Sequence, residues 1–88
     1  MRKGGWPDWW KWDLELSPHL LDRMEDRGFT EVELRVMLVR ARRLSRDIVP
    51  GRWRVLTSLR QRRWDVIVEP DPEVRRLVVV TAYPVWES

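Results

Sequence analysis

His19, Arg23 and Arg27 stand four residues apart in succession. On an α-helix each such step drifts by about 40°, so the three side chains share one stripe. An imidazole with two guanidiniums can bind a phosphate and exchange protons with it, because imidazole alone of these groups titrates near neutrality. Asp22 and Asp26 interleave the stripe. The same residues therefore also read as a solvated face, with ion pairs worth about 0.3–0.5 kcal/mol each.

A second set belongs to the C-terminal half. Arg52 and Arg54 share a face of an alternating segment, and Arg63 can lie across a hairpin from them. Thr81 and Tyr83 share a face just before Pro84, and Tyr83 is the sole tyrosine. Beside a basic cleft its ring could stack on a base, or its hydroxyl donate to a phosphate. It could equally close the rim of the core. Arg52, Arg54 and Arg63 enter as substrate-binding candidates from charge and parity alone.

Charge singles out the same stretch. The 88 residues hold 17 Lys+Arg and 14 Asp+Glu, a net charge of +3. Between Arg35 and Arg63, ten arginines and one acid, Asp47, give +9, which leaves −6 for the remainder. Such a block suits phosphates or an acidic partner protein, although a solvated arginine face requires no ligand. Length allows one domain with one modest core, and 43% hydrophobic with 35% charged residues describes a folded chain. No purely apolar run exceeds four residues, as in Leu77 to Val80, whereas a spanning helix takes about 20. A soluble, cytoplasmic chain without a leader or membrane contact is expected. Cysteine is absent and His19 is the single histidine, so neither a metal nor another cofactor is expected.

These side chains must be positioned by a small set of elements. Residues 1–11 form a tail bearing Trp6, Trp9 and Trp10, rings that fold back on the domain or dock on a partner. The domain body is expected to span 12–86. Trp12 to Leu16 alternates as a first strand. Ser17 caps a helix with Pro18 in its first turn and Gly28 at its end, and Thr30 to Glu33 forms a capping box for a second helix to about Arg42. Strands are expected at Leu44 to Val49, Arg52 to Leu59, Arg63 to Glu69 and Arg75 to Val85. Arg60 to Arg62 makes a hairpin tip, and Asp65 points outward with Arg63 and Glu69. The last strand loses alternation, as in a strand covered on both faces. The expected architecture is α+β: an N-terminal strand and a two-helix pair packed on an antiparallel, mostly meandering sheet of four to five strands.

The run Ser17-Pro18-His19-Leu20-Leu21-Asp22-Arg23-Met24-Glu25-Asp26-Arg27-Gly28-Phe29-Thr30-Glu31-Val32-Glu33-Leu34 resembles the opening signature of a family of small, mostly bacterial domains of unknown function. Val66 to Asp71 and Val78 to Pro84 are similar to its closing signature. That family is grouped with RelE-like toxins and the wider barnase–EndoU–colicin–RelE set of metal-independent ribonucleases. The resemblance spans about residues 12 to 86 and implies a β-α-α-β-β-β order. It carries function to His19, Arg23 and Arg27 on the first helix, and to Thr81 and Tyr83 on the last strand.

What it implies is a toxin-type endoribonuclease that cleaves mRNA or tRNA through a 2′,3′-cyclic phosphate. RNA, free or on the ribosome, and a cognate antitoxin are the implied partners. His19 would exchange protons, Arg23 and the sheet arginines would hold the phosphate, and Tyr83 would stack or donate. Relatives of this fold use paired His, or His with Lys, whereas this body has one His and no Lys. Arginine stabilises charge but exchanges protons badly. Tyr83, an Asp or Glu, or the RNA itself would then complete the pair. The alternative is a non-catalytic module binding RNA or protein through the arginine block and the tryptophan tail.

Overall fold

The computed structural model describes residues 5–86. A first strand, β1 (Asp13–Leu16), leads into two helices, α1 (Pro18–Arg27) and α2 (Glu31–Val39). Four strands follow: β2 (Arg43–Arg46), β3 (Trp53–Leu59), β4 (Arg62–Asp71) and β5 (Arg76–Pro84). The fold is α+β, with α1 against β5 and α2 against β3. No helix among the described residues is long and apolar enough to cross a membrane.

The capping signals work as their chemistry requires. Ser17 Oγ accepts from the Leu20 N–H at 3.0 Å and donates to the Val80 carbonyl at 2.8 Å, so the cap of α1 also fixes it to β5. Gly28 ends α1 in the left-handed region at φ 66°. Thr30 and Glu33 complete the capping box of α2. That helix stops at Val39, short of the expected Arg42. Ala41 turns into the core and the Arg42 N–H bonds the Leu56 carbonyl at 2.8 Å, so sheet pairing takes the backbone from the helix. The buried Thr57 hydroxyl donates to the Met37 carbonyl, one of the acceptors the helix end leaves open.

The strands run β1-β5-β4-β3-β2 across one sheet. β2 to β5 form the expected antiparallel meander, but β1 pairs with β5 in parallel, so the sheet is mixed. Period-two alternation identifies a strand and its buried face; it carries nothing about direction. Leu20, Leu34 and Met37 from the helices meet Val55, Val66, Val68, Leu77 and Val79 from the sheet, all fully buried. Each such side chain contributes about 1.5–3 kcal/mol of transfer free energy.

Two strand expectations are corrected. The strand covered on both faces is the central β4, where Trp64 to Val68 are all buried, whereas Val78 and Val80 of β5 stay half-buried. Asp65 is therefore buried, not outward. β2 ends at Arg46: past the Asp47 N–H, which still bonds the Arg52 carbonyl, the Arg52 N–H turns to the Val49 carbonyl at 3.2 Å, and Ile48 and Val49 are exposed in the turn.

A bulge opposite Ile67 and Val68 leaves Val80 without a partner: Val68 pairs with Val79 and Ile67 with Thr81. The extra residue shifts parity along β5. Ala82 enters the core opposite Val66, and Tyr83 turns to the open face opposite Asp65. Of the expected tail, residues 1–4 lie outside the described residues. Its tryptophans pack back: Asp8–Lys11 forms a 3-10 turn, Trp6 meets Trp10 at 4.6 Å and Trp9 meets Trp53 at 5.6 Å.

Candidate nucleic-acid interface

The β3–β4 hairpin is closed by Arg60 and Gln61, with φ of 53° and 63°. Two-residue hairpin turns of this kind take positive φ at both positions, a geometry Gly or Asn meets with less strain. Here external contacts hold the turn. The Arg60 guanidinium donates to Glu33 Oε2 at 2.6 Å and to the Gly28 carbonyl at 3.1 Å. The Thr30 N–H, and then Arg60, hold the Glu33 carboxyl below its ordinary value. One carboxylate thus serves the cap of α2 with one oxygen and the hairpin tip with the other.

That anchored hairpin forms one wall of a cleft of about 640 Å³. Arg27, Arg60 and Arg62 line it together with Trp64, Tyr83 and Trp86. Arg27 Nη1 donates to the Ala82 carbonyl at 2.8 Å and lies 3.4 Å from Thr81 Oγ1. It reaches β5 beyond the last residue that β1 pairs, Val79. Arg62 lies over the Trp86 ring at 3.9 Å, and that ring is 71% exposed. A guanidinium over an indole face is attracted by the ring quadrupole, by about 0.5–1 kcal/mol at an exposed site.

Behind Tyr83 the open face of the sheet holds a buried acid. The Asp65 side chain is 6% exposed, with Arg54 Nε at 3.8 Å and Arg63 Nε at 3.9 Å. Neither distance is a hydrogen bond, and Asp65 Oδ1 and Arg54 Nε have no hydrogen-bond partner. Burial pushes the Asp65 carboxyl above its ordinary value, against the pull of Arg63 and Arg54. Burial, then the Asp65 charge, raises the Tyr83 hydroxyl too. Arg54 is tied on its other side to Asp47 Oδ1 at 3.2 Å.

The residues singled out in the sequence are thus divided. Arg27 and Tyr83 line the cleft, Thr81 lies beside Arg27 without lining it, and Arg54 and Arg63 join Tyr83 around Asp65. Arg52 pairs with Glu69 at 3.1 Å, toward the other end of the sheet. Arg23 donates to Asp26 at 3.1 Å, and His19 is exposed on α1; neither lines the cleft. Sequence reasoning missed Arg62, Trp86 and Asp65. Arg62 was placed in the turn, where parity has no meaning, and Trp86 follows the last strand. Asp65 sits in an alternating segment, but on a strand buried on both faces. Comparison with protein-family models, curated proteins and solved structures gives no match for this chain.

Proposed function

We propose that the chain is a RelE-like, toxin-type domain directed at single-stranded RNA, which it grips at the end of the β3–β4 hairpin. The carrying observation is the mixture in one cleft: Arg27 and Arg62 beside Tyr83 and the exposed Trp86. Guanidiniums neutralise phosphates while ring faces stack on unpaired bases, and duplexes offer no such free faces. The resemblance of Ser17 to Leu34 and of the closing strands supports RNA over DNA, and the strand-helix-helix-strand order is consistent with it. A cognate antitoxin would be an acidic chain covering the same cleft.

Cleavage is a second reading with its own support. Tyr83 lies opposite Asp65, whose raised pKa brings a carboxyl closer to proton exchange at neutral pH. The resemblance would add His19 and Arg23, which stand on α1 outside the cleft, and implies a metal-independent route through a 2′,3′-cyclic phosphate. The test titrates a labelled single-stranded RNA with the protein in EDTA at several salt concentrations, then maps new 5′ ends. Binding that weakens steeply with salt is expected; salt-insensitive or absent binding overturns the reading. Cuts lost in His19→Ala assign the imidazole. Cuts that survive it and vanish in Tyr83→Phe place proton transfer in the cleft. Binding without cuts leaves a module that holds RNA and does not turn it over.

A further inference from the structure

The arginines of the Arg35–Arg63 block fall into two populations. Arg35, Arg52, Arg54 and Arg60 each meet a carboxylate at 3.2 Å or less. Arg40, Arg42, Arg43, Arg46 and Arg62 have no carboxylate partner among the described residues. Arg42, Arg43 and Arg62, with Arg63, line a second cleft of about 610 Å³. It opens where β2 has not yet begun to pair: the Arg42 N–H bonds Leu56, and Thr57 to Leu59 run on with no neighbour strand on that side. Ser58 and Gln61 add hydroxyl and amide groups, and no acid lines it.

Four guanidiniums around one cleft repel one another, and among the described residues only Asp65, 3.9 Å behind Arg63, offsets that. A polyanion is the ligand chemistry that relieves it. The two clefts differ in one telling respect. The first is lined by Trp64, Tyr83 and Trp86, whereas the second has no ring. Arg62 belongs to both. We infer that the second cleft continues the RNA path past Arg62 and takes the sugar–phosphate backbone of the strand without stacking on its bases. This rests on the RNA reading of the first cleft and extends it: bases are gripped on the β5 side of the hairpin, phosphates on the β2 side.

The experiment compares wild-type protein with an Arg42→Ala/Arg43→Ala double variant, both side chains being exposed. Fluorescence anisotropy in EDTA follows two RNAs of about 4 and about 12 nucleotides, the range of single-stranded site sizes on small domains. Thermal melting verifies that the variant folds. For the long RNA the double variant should lower the slope of log affinity against log salt by about 1.4, at about 0.7 for each lost phosphate contact. For the short RNA, held in the aromatic cleft, the two proteins should agree. Abasic nucleotides along one end of the long RNA should leave the Arg42/Arg43 contribution intact. If wild type binds the long RNA and the double variant shows the same slope, the inference fails while the first cleft stands. If abasic substitution at either end removes the Arg42/Arg43 contribution, the cleft reads bases and the backbone assignment fails. If a polyglutamate peptide displaces the long RNA at equal charge concentration, the second cleft belongs to an acidic protein. If wild type binds neither RNA, the RNA reading itself falls and takes this path with it.

Discussion

At one end of β3, Trp53 receives Trp9 at 5.6 Å and Arg46 at 5.0 Å, and Trp6, Trp9 and Trp10 lie half-buried among themselves against the core. At the other end, Trp86 carries Arg62 at 3.9 Å but keeps 71% of its surface open, and Tyr83 lines a cleft with Arg27. Both ends use an arginine over an indole. The first satisfies its rings with other rings of the chain. At the second, the arginines outnumber the acids and ring surface remains unused. Aromatic density alone is therefore not what the proposed RNA site rests on; it rests on unmet ring surface beside unmet positive charge.

The largest effect that could break this contrast is Trp9→Ala. It strips ring contacts from Trp10 and Trp53 and should destabilise the fold by about 2–3 kcal/mol, somewhat below a fully buried tryptophan. Urea unfolding measures it, and RNA affinity under folding conditions should not change. Trp86→Ala should do the reverse. Its stability should stay within about 0.5 kcal/mol of wild type, while affinity for single-stranded RNA falls by about 1–2 kcal/mol, roughly ten-fold, for one lost stack. A folded Trp9→Ala that no longer binds, or a Trp86→Ala that melts early, would exchange the roles of the two ends.

How far the sequence carried this picture depends on the signal. The helices were legible because Ser17, Gly28 and the Thr30–Glu33 pair are local chemistry, settled within four residues of the backbone they satisfy. The buried faces of β3 and β4 followed from alternation at Val55, Thr57, Val66 and Val68. Direction did not, since nothing in Trp12 to Leu16 distinguishes a parallel from an antiparallel neighbour. The bulge at Val80 was equally silent, yet it decides that Tyr83 faces Asp65 and not the core. Among the site residues, Arg27, Thr81 and Tyr83 were legible through the resemblance. Arg52 was not separable from Arg62 by charge, because the separation is made by Glu69, seventeen residues away in sequence and 3.1 Å away in space.

That pair of arginines supplies a sharper and smaller test. Arg52→Ala removes an ion pair whose partners are 36% and 46% exposed, so solvent screens it and the loss should be at most about 0.5 kcal/mol. The salt dependence of RNA binding should not change. Arg62→Ala should lower the salt slope by about 0.7 and loosen binding at both RNA lengths, since Arg62 borders both clefts. Equal slopes for the two variants would mean that pairing with Glu69 does not withhold Arg52 from RNA.

The smallest effect concerns Asp65, the acid set between Arg54 and Arg63 behind Tyr83. Burial raises its carboxyl above the ordinary value, so the native state holds the proton more tightly than the unfolded chain, whose Asp titrates near about 3.9. In the window above that value the native protein binds more protons than the unfolded chain. Stability must then fall as pH climbs through the window, and the penalty is complete above the raised pKa. Asp65→Asn keeps the shape and removes the ionisation. Its melting temperature should approach that of wild type as pH falls below about 3.9 and exceed it by a growing margin as pH climbs through the window. Arg54 and Arg63 are 37% and 47% exposed, so both can return to water once the carboxylate is gone. A variant that melts earlier than wild type at pH 7 would reverse the sign. The two guanidiniums would then outweigh burial, and Asp65 would be a true ion-pair partner that holds them in place for phosphate.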